Sequence, residues 1–208
     1  MTARAGAGPL RRLIVVRHAK SAWPVGVPDH ERPLAPRGRR DAPAVGRAIA
    51  EADCLPDLAV CSTAVRARQT WELTAAEWGT PPPVRHDARV YATEVSELLD
   101  VVRETPDRVR TLLLVGHNPG LEELVLDLAG DALDDALDDV RAKFPTSAIA
   151  FLSWHGETWS ALAPGTALLT DMIVARGRKS PKAKKEEKEE KGRKGRKGRK
   201  GAQHAKDV

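Results

Sequence analysis

The sequence predicts an α/β fold, a three-layer sandwich in which helices cover both faces of a mainly parallel central sheet. Three observations lead there. Short apolar runs rich in β-branched or aliphatic residues recur at 13–16 (LIVV), 58–61 (LAVC) and 111–115 (TLLLV). A strand that is apolar at every position is one buried on both faces. Each run is followed by a stretch with helical spacing of its apolar residues, and strands alternating with helices build a parallel sheet with crossover helices.

The elements follow in order. After the first run, residues 38–52 read as a helix with Val45, Ala48 and Ile49 on one stripe. Pro43 is placed in its first turn, where a missing N–H costs nothing. The run 58–61 is the second strand, and Ser62 or Thr63 is the N-cap of a helix reaching about Trp78. Pro81, Pro82 and Pro83 break the chain before a short strand or edge segment near Val84. A helix over about 95–104, the third buried strand at 111–115 and a helix over about 120–128 come next. Residues 148–154 and 159–163 read as an antiparallel pair joined by His155, Gly156 and Glu157. The acidic run 131–139 lacks the Gly and Glu of a calcium loop and is expected to be a solvated helix or loop. Trp71, Trp78, Trp154 and Trp159 fall in periodic elements and are expected in the core.

Composition bounds the function classes. With 208 residues and 41% hydrophobic content the chain can fill one core of ordinary size. No apolar run approaches the roughly 18 residues a membrane span needs, and the start, MTARAGAGPLRR, has no apolar segment of a secretory signal. Cys54 and Cys61 are too few for a disulfide framework and lack the partners of a zinc site. Both read as buried small hydrophobes in a reducing cytoplasm.

The net charge of +5 conceals a segregation. From Arg176 onward there are 15 Lys and Arg against 5 Asp and Glu, a local charge of +10, and the preceding residues carry −5. The domain organisation expected is a flexible lead over 1–10, a folded domain over 11–176 and a disordered basic tail over 177–208. That tail holds GRKGRKGRKG and almost no large apolar side chains. Such a tract is attracted to RNA, DNA, polyphosphate or anionic membrane by counterion release; it reads equally as a solubilising extension without a partner.

The chemistry gathers immediately after the buried strands. The first ends in Arg17 and His18, the second leads through Ser62 to Arg66 and Arg68, and the third ends in Gly116 and His117. In open α/β sheets ligands bind beyond the carboxyl ends of the strands, where helix N-termini also point. Two histidines and at least two arginines on one rim make a phosphate site by composition, because guanidinium forks match phosphate oxygens. Singly, each has a bland alternative: a hydrogen-bonded structural His, or a solvated Arg. His30, His86, His155 and His204 show no paired metal-ligand spacing and read as loop or tail residues. Trp23 follows the first rim loop and is placed at the substrate entrance.

The segment Leu13-Ile14-Val15-Val16-Arg17-His18-Ala19-Lys20-Ser21 resembles the signature of the histidine phosphatase (phosphoglycerate mutase-like) superfamily, and in form its SixA-type phosphohistidine phosphatase branch. The resemblance continues through Arg32-Pro33-Leu34, Cys61-Ser62, Arg66-Ala67-Arg68-Gln69-Thr70, residues 115–120 (VGHNPG) and residues 143–148 (KFPTSA), in the family's order. It covers about residues 12 to 163. It implies that His18 is a nucleophile, that Arg17 and Arg66 hold phosphoryl oxygens, and that His117 completes the pocket. It places Arg32 close to the site, Ser21 and Thr146 as lesser lining residues, and Arg68 in a supporting ion pair. No cofactor and no metal is implied.

Two departures matter. The family often has Gly after the nucleophilic His, where this chain has Ala19. No carboxylate is unambiguously the general acid of the superfamily's mutases and ester phosphatases. Glu94 lies in about the right region and reads equally as an ordinary helix N-terminal Glu. The function implied is a metal-independent phosphohydrolase working through phosphorylated His18, with a phosphohistidine protein as partner and substrate. The alternatives are a phosphomonoesterase on sugar or nucleotide phosphates, and a nucleic-acid-associated protein with a vestigial phosphatase fold. The intact Arg17, His18, Arg66 and His117 argue against a vestige.

Overall fold

The computed structural model describes residues 8–91 and 93–178. Seven strands form one sheet in the order β3-β2-β4-β1-β6-β7-β5. They are β1 (Leu10–Arg17), β2 (Leu58–Ser62), β3 (Val84–Asp87), β4 (Thr111–Gly116), β5 (Ala129–Ala132), β6 (Ala148–His155) and β7 (Ala167–Val174). The pairings β3-β2, β2-β4, β4-β1 and β7-β5 are parallel, and β6 runs antiparallel to both β1 and β7. The helices are α1 (Pro36–Glu51), α2 (Val65–Ala75), α3 (Val95–Arg103), α4 (Gly120–Leu128) and α5 (Ala136–Ala142).

The uniform hydrophobicity of the central strands has the expected origin. Side chains alternate between faces along a strand. Leu13 and Val15 join one core with Leu112, Leu114, Leu98 of α3, Leu121 of α4 and Val140 of α5. Ile14 and Val16 join the other with Leu113, Val115, Ile49 of α1 and Trp71 of α2. Helices α3, α4 and α5 thus cover one face, and α1 and α2 the other. Trp71, Trp78, Trp154 and Trp159 are all buried.

Several local expectations need correction. Helix α1 starts two residues earlier, with Pro36 at its beginning, so Pro43 lies inside it. The missing N–H of Pro43 leaves the Arg39 carbonyl without its helical donor. Helix α2 is capped at Ala64 and ends at Ala75; Ser62 remains in the strand. Trp159–Ala161 is a 3-10 turn and not a strand, and the antiparallel partner of β6 is β7. The apolar spacing around Trp159 comes from a wholly buried indole that donates to the Val109 carbonyl at 2.8 Å. Cys61 is buried, its thiol pushed up by desolvation, whereas Cys54 is only half-buried. Leu10, expected to lie in the lead, opens β1, and the Pro9 carbonyl accepts from the Gly156 N–H at 3.2 Å. The expectations for residues 1–7 and for 179–208, including polyanion binding by the tail, lie outside the described residues. Among the described residues no helix is long and apolar enough to cross a membrane.

At the start of β1, Arg11 is completely buried. Its guanidinium donates to the carbonyls of Gly156 at 2.8 Å, Val109 at 2.9 Å and Asp107 at 3.1 Å, and also to that of Glu157. It stands over the Trp159 ring at 5.6 Å and pairs with Asp107 at 3.8 Å. One side chain therefore ties β1 to the segment before β4 and to the end of β6.

Candidate active site

Strands β2, β4 and β1 are neighbours, so their carboxyl ends converge. His18 follows β1, His117 follows β4, and Arg66 stands in the first turn of α2. The loop that carries His18 is held from three sides. The His18 N–H donates to the Gly116 carbonyl at 3.0 Å, Ser147 N–H donates to the Arg17 carbonyl at 3.1 Å, and Ala19 N–H donates to Thr70 Oγ1 at 3.0 Å. Gln69 accepts from the Leu34 N–H at 2.8 Å. The Arg-x-x-Gln-Thr spacing thus puts Arg66, Gln69 and Thr70 on the α2 surface that faces this loop. Gly38, at the start of α1, has no room for a Cβ against the Lys20 backbone, so α1 can close onto the same loop.

His18 Nδ1 lies 2.7 Å from the Ala19 carbonyl. A carbonyl only accepts, so Nδ1 carries the proton and Nε2 the free lone pair. Arg66 Nε approaches that Nε2 at 3.3 Å. The two imidazoles lie 4.9 Å apart between ring centres. Burial first, then the charges of Arg66, Arg17 and Arg32, lower His18 from the ordinary 6.5 to about 3. Burial, with His18 and Arg66 adding to it, lowers His117 to about 2. Both rings are neutral at pH 7, which leaves His18 Nε2 available as a nucleophile.

Arg17 donates to the Phe144 carbonyl at 2.7 Å, and its Nε is buried without a partner. Its charge acts on both imidazoles. Arg66 donates from its two terminal nitrogens to Asp29, to the carbonyl at 2.6 Å and to Oδ2 at 2.9 Å. His18, Arg66 and His117 therefore meet directly, with Arg17 beside them.

The lesser candidates take different places. Arg32 is spent on the loop: it donates to Ser21 Oγ at 2.7 Å, to the Ala22 carbonyl at 3.0 Å and to Asp29 Oδ1 at 2.5 Å. Ser21 is thereby an anchor for Arg32. Thr146 offers its carbonyl to Arg176 at 2.8 Å; the hydroxyl buried next to it without a partner is that of Ser147, a residue with φ of 63°. Glu94 lies exposed just before α3, on the wall of the cleft. Arg68 is exposed and enters none of the ion pairs among the described residues. Trp23 is 74% exposed, its ring stacked on the Arg32 guanidinium at the site's edge.

Residues absent from the sequence-based list complete the site. Asp29 Oδ2 accepts from the Tyr91 hydroxyl at 2.7 Å as well as from Arg66. Tyr91 stands edge-on to His117 at 5.3 Å and to His30 at 4.9 Å. Asn118 donates to Glu122 at 2.7 Å and to the Phe144 carbonyl at 3.0 Å. A cleft of about 340 Å³ opens beside His117, lined among others by Asp29, Arg66, Tyr91, Glu94 and Asn118. Asp29 had one available signal, its place three residues before Arg32; Tyr91, the chain's single tyrosine, had none.

Two neutral imidazoles and clustered guanidinium groups at the ends of adjacent parallel strands define a phosphate-handling enzyme of the α/β class. Residues 13–163 match the description Histidine phosphatase superfamily (branch 1), and the chain belongs to that family of phosphatases. An uncharacterized protein of Mycobacterium tuberculosis is 40% identical over 163 residues, covering 77% of this chain and all of that one. A structure assigned to phosphohistidine phosphatase SixA of Nakamurella multipartitia is 33% identical, with a TM-score of 0.71 over 80% of this chain and 97% of that one. Another, assigned to SixA of Agrobacterium tumefaciens, is 28% identical, with a TM-score of 0.61 over 69% and 92%.

The lowered histidines have a measurable consequence. An unfolded chain takes up protons on His18 and His117 as pH falls through 6.5, whereas the folded chain refuses them until about 3 and about 2. The unfolded state holds more protons in that window, so stability is lost as pH falls from 6.5. Each histidine contributes a slope of up to about 1.4 kcal/mol per pH unit. Denaturant unfolding at pH 6, 5 and 4.5, without phosphate in the buffer, is expected to show a steeper loss for the wild type than for His18→Asn. Parallel losses in the two proteins would refute a neutral His18.

Proposed function

We propose that the protein is a phosphohistidine phosphatase acting on phosphorylated protein partners without a metal. Its nucleophile is His18 Nε2. That nitrogen attacks phosphorus, the P–N bond to the substrate imidazole breaks, and the imidazole leaves with the electron pair and the proton on its ring. Water then attacks phosphorylated His18, releasing inorganic phosphate and regenerating the free imidazole. Arg17 and Arg66 balance the charge on the phosphoryl oxygens throughout, the main demand of phosphoryl transfer.

The observation that carries the substrate class is the state of the carboxylate at the mouth. Asp29 is held well below the usual carboxylate range by hydrogen bonds from Tyr91, Arg32 and Arg66. An ionised Asp29 has no proton to give an alkoxide leaving group, and its negative charge suits a departing imidazole that already carries its proton. Glu94, exposed across the cleft, is the remaining carboxyl that could serve an ester.

The test is discrimination by leaving group. A phosphohistidine peptide and an aryl phosphate are expected to be hydrolysed with kcat/KM at least about 100-fold above that of a sugar phosphate, the usual worth of a positioned acid. Glu94→Gln is expected to leave phosphohistidine hydrolysis nearly unchanged. Efficient turnover of a sugar phosphate that disappears in Glu94→Gln would make Glu94 the acid and the protein a small-molecule phosphomonoesterase.

A further inference from the structure

Ser62 closes β2 and is completely buried. Its neighbour in the sheet is β4, so its side chain comes out beside the residue that follows that strand. Ser62 Oγ lies 2.8 Å from His117 Nε2 and accepts from the Ala64 N–H at 3.3 Å. The other ring nitrogen of His117, Nδ1, is buried and has no partner.

The proton count between these groups has two solutions. If Nε2 carries the proton, it donates to Ser62 Oγ, which then accepts twice while its own O–H finds no acceptor among its hydrogen-bond partners. Nδ1 is then a bare lone pair in a site built for an anion. If the Ser62 O–H donates to Nε2, the hydroxyl accepts once and donates once, and the proton of the ring sits on Nδ1. Only the second arrangement satisfies both Ser62 Oγ and His117 Nε2, and it leaves the unpartnered Nδ1–H as a donor for a phosphoryl oxygen. The choice matters because His117 is neutral, so only one of its nitrogens has a proton to donate.

We infer that Ser62 is a positioning residue that selects the Nδ1–H tautomer of His117, making this neutral ring a hydrogen-bond donor to the phosphoryl group carried by His18. The inference rests on the proposed role of His18, but the ring's protonation can be read without turnover. It also gives Ser62, expected from the sequence to cap α2, a second assignment: its oxygen takes the Ala64 N–H while its proton goes to the ring.

The experiment is long-range proton–nitrogen NMR on full-length protein labelled with nitrogen-15 in its histidines, His117 being assigned from the signals lost in His117→Asn. In the wild type, Nδ1 is expected to be protonated and Nε2 not, both free and with inorganic phosphate. In Ser62→Ala the ring is expected to become Nε2-protonated or mixed. kcat should fall on the order of 100-fold, as when one transition-state donor is misdirected, with KM changed far less. Ser62→Thr, which keeps the hydroxyl, is expected to restore the tautomer and most of kcat. A wild-type ring protonated at Nε2 would overturn the inference even if no Ser62 variant folds, as would a folded Ser62→Ala with unchanged tautomer and kcat. Activity surviving in His18→Ala would instead refute the nucleophile and leave the tautomer result standing.

Discussion

His18→Ala is expected to abolish turnover, with kcat reduced on the order of 10⁴-fold or more, the scale on which losing a covalent nucleophile acts. The neighbouring groups cannot replace it. His117 Nε2 is engaged by Ser62, and Asp29 is committed to Arg66, Arg32 and Tyr91. His18 is also fixed for its task, with Nδ1–H spent on the Ala19 carbonyl and Nε2 facing Arg66. The fold should survive, because the loop is held by backbone bonds to Gly116, Ser147 and Thr70 that do not involve the imidazole. An alkaline denaturing quench of the wild type during turnover should trap a phosphoramidate on His18 that the variant lacks. A variant retaining more than about one part in a hundred of wild-type kcat would end the covalent mechanism, since binding and electrostatics alone leave far less.

Arg11→Ala is expected to have the largest effect on stability, a loss of about 3–5 kcal/mol, the scale on which a buried hydrogen-bond network loses its central donor. The substitution removes a fully buried guanidinium and strands the buried Gly156 carbonyl and the partly buried carbonyls of Glu157 and Asp107, while that of Val109 keeps the Trp159 indole as donor. Every buried carbonyl left unpaired costs about 1–3 kcal/mol before relaxation and entering water offset part of it. For a chain of this size the melting temperature should fall by roughly 10 °C or more. Arg11→Lys should recover little, since one ammonium cannot reproduce a planar fork. Seven residues of extended strand, about 23 Å, separate Arg11 from His18. Below the lowered melting temperature kcat is therefore expected to remain close to that of the wild type. An unchanged melting temperature would show that these carbonyls are satisfied by other means.

The contrast between His18 and Arg11 marks what could be read from the chain alone. His18 sits in a motif block, directly after a run of β-branched residues, and strand ends are where such sheets place ligands. Arg11 follows Leu10 and precedes Arg12 with no local sign that its head would be buried. Its partners lie 96 to 146 residues away. Likewise the 3-10 turn at Trp159 looked like half of a hairpin because apolar spacing reports burial and cannot name the surface that buries it.

The sequence by itself determined the three-layer α/β class, the buried strands β1, β2 and β4, the start and end of α4, and the order of the motif blocks that identify the family. Those features are local: strand and helix periodicities are set by neighbours a few residues apart. Only the tertiary structure decided how the polar heads are paired. Asp29 reaches Arg66 across 37 residues and accepts from Tyr91 across 62, and Ser62 meets His117 across 55. These contacts determine which carboxylate stays ionised and which ring nitrogen holds a proton. Hydrogen bonds depend on position and direction within a few tenths of an ångström, and a one-dimensional pattern of residue types carries neither.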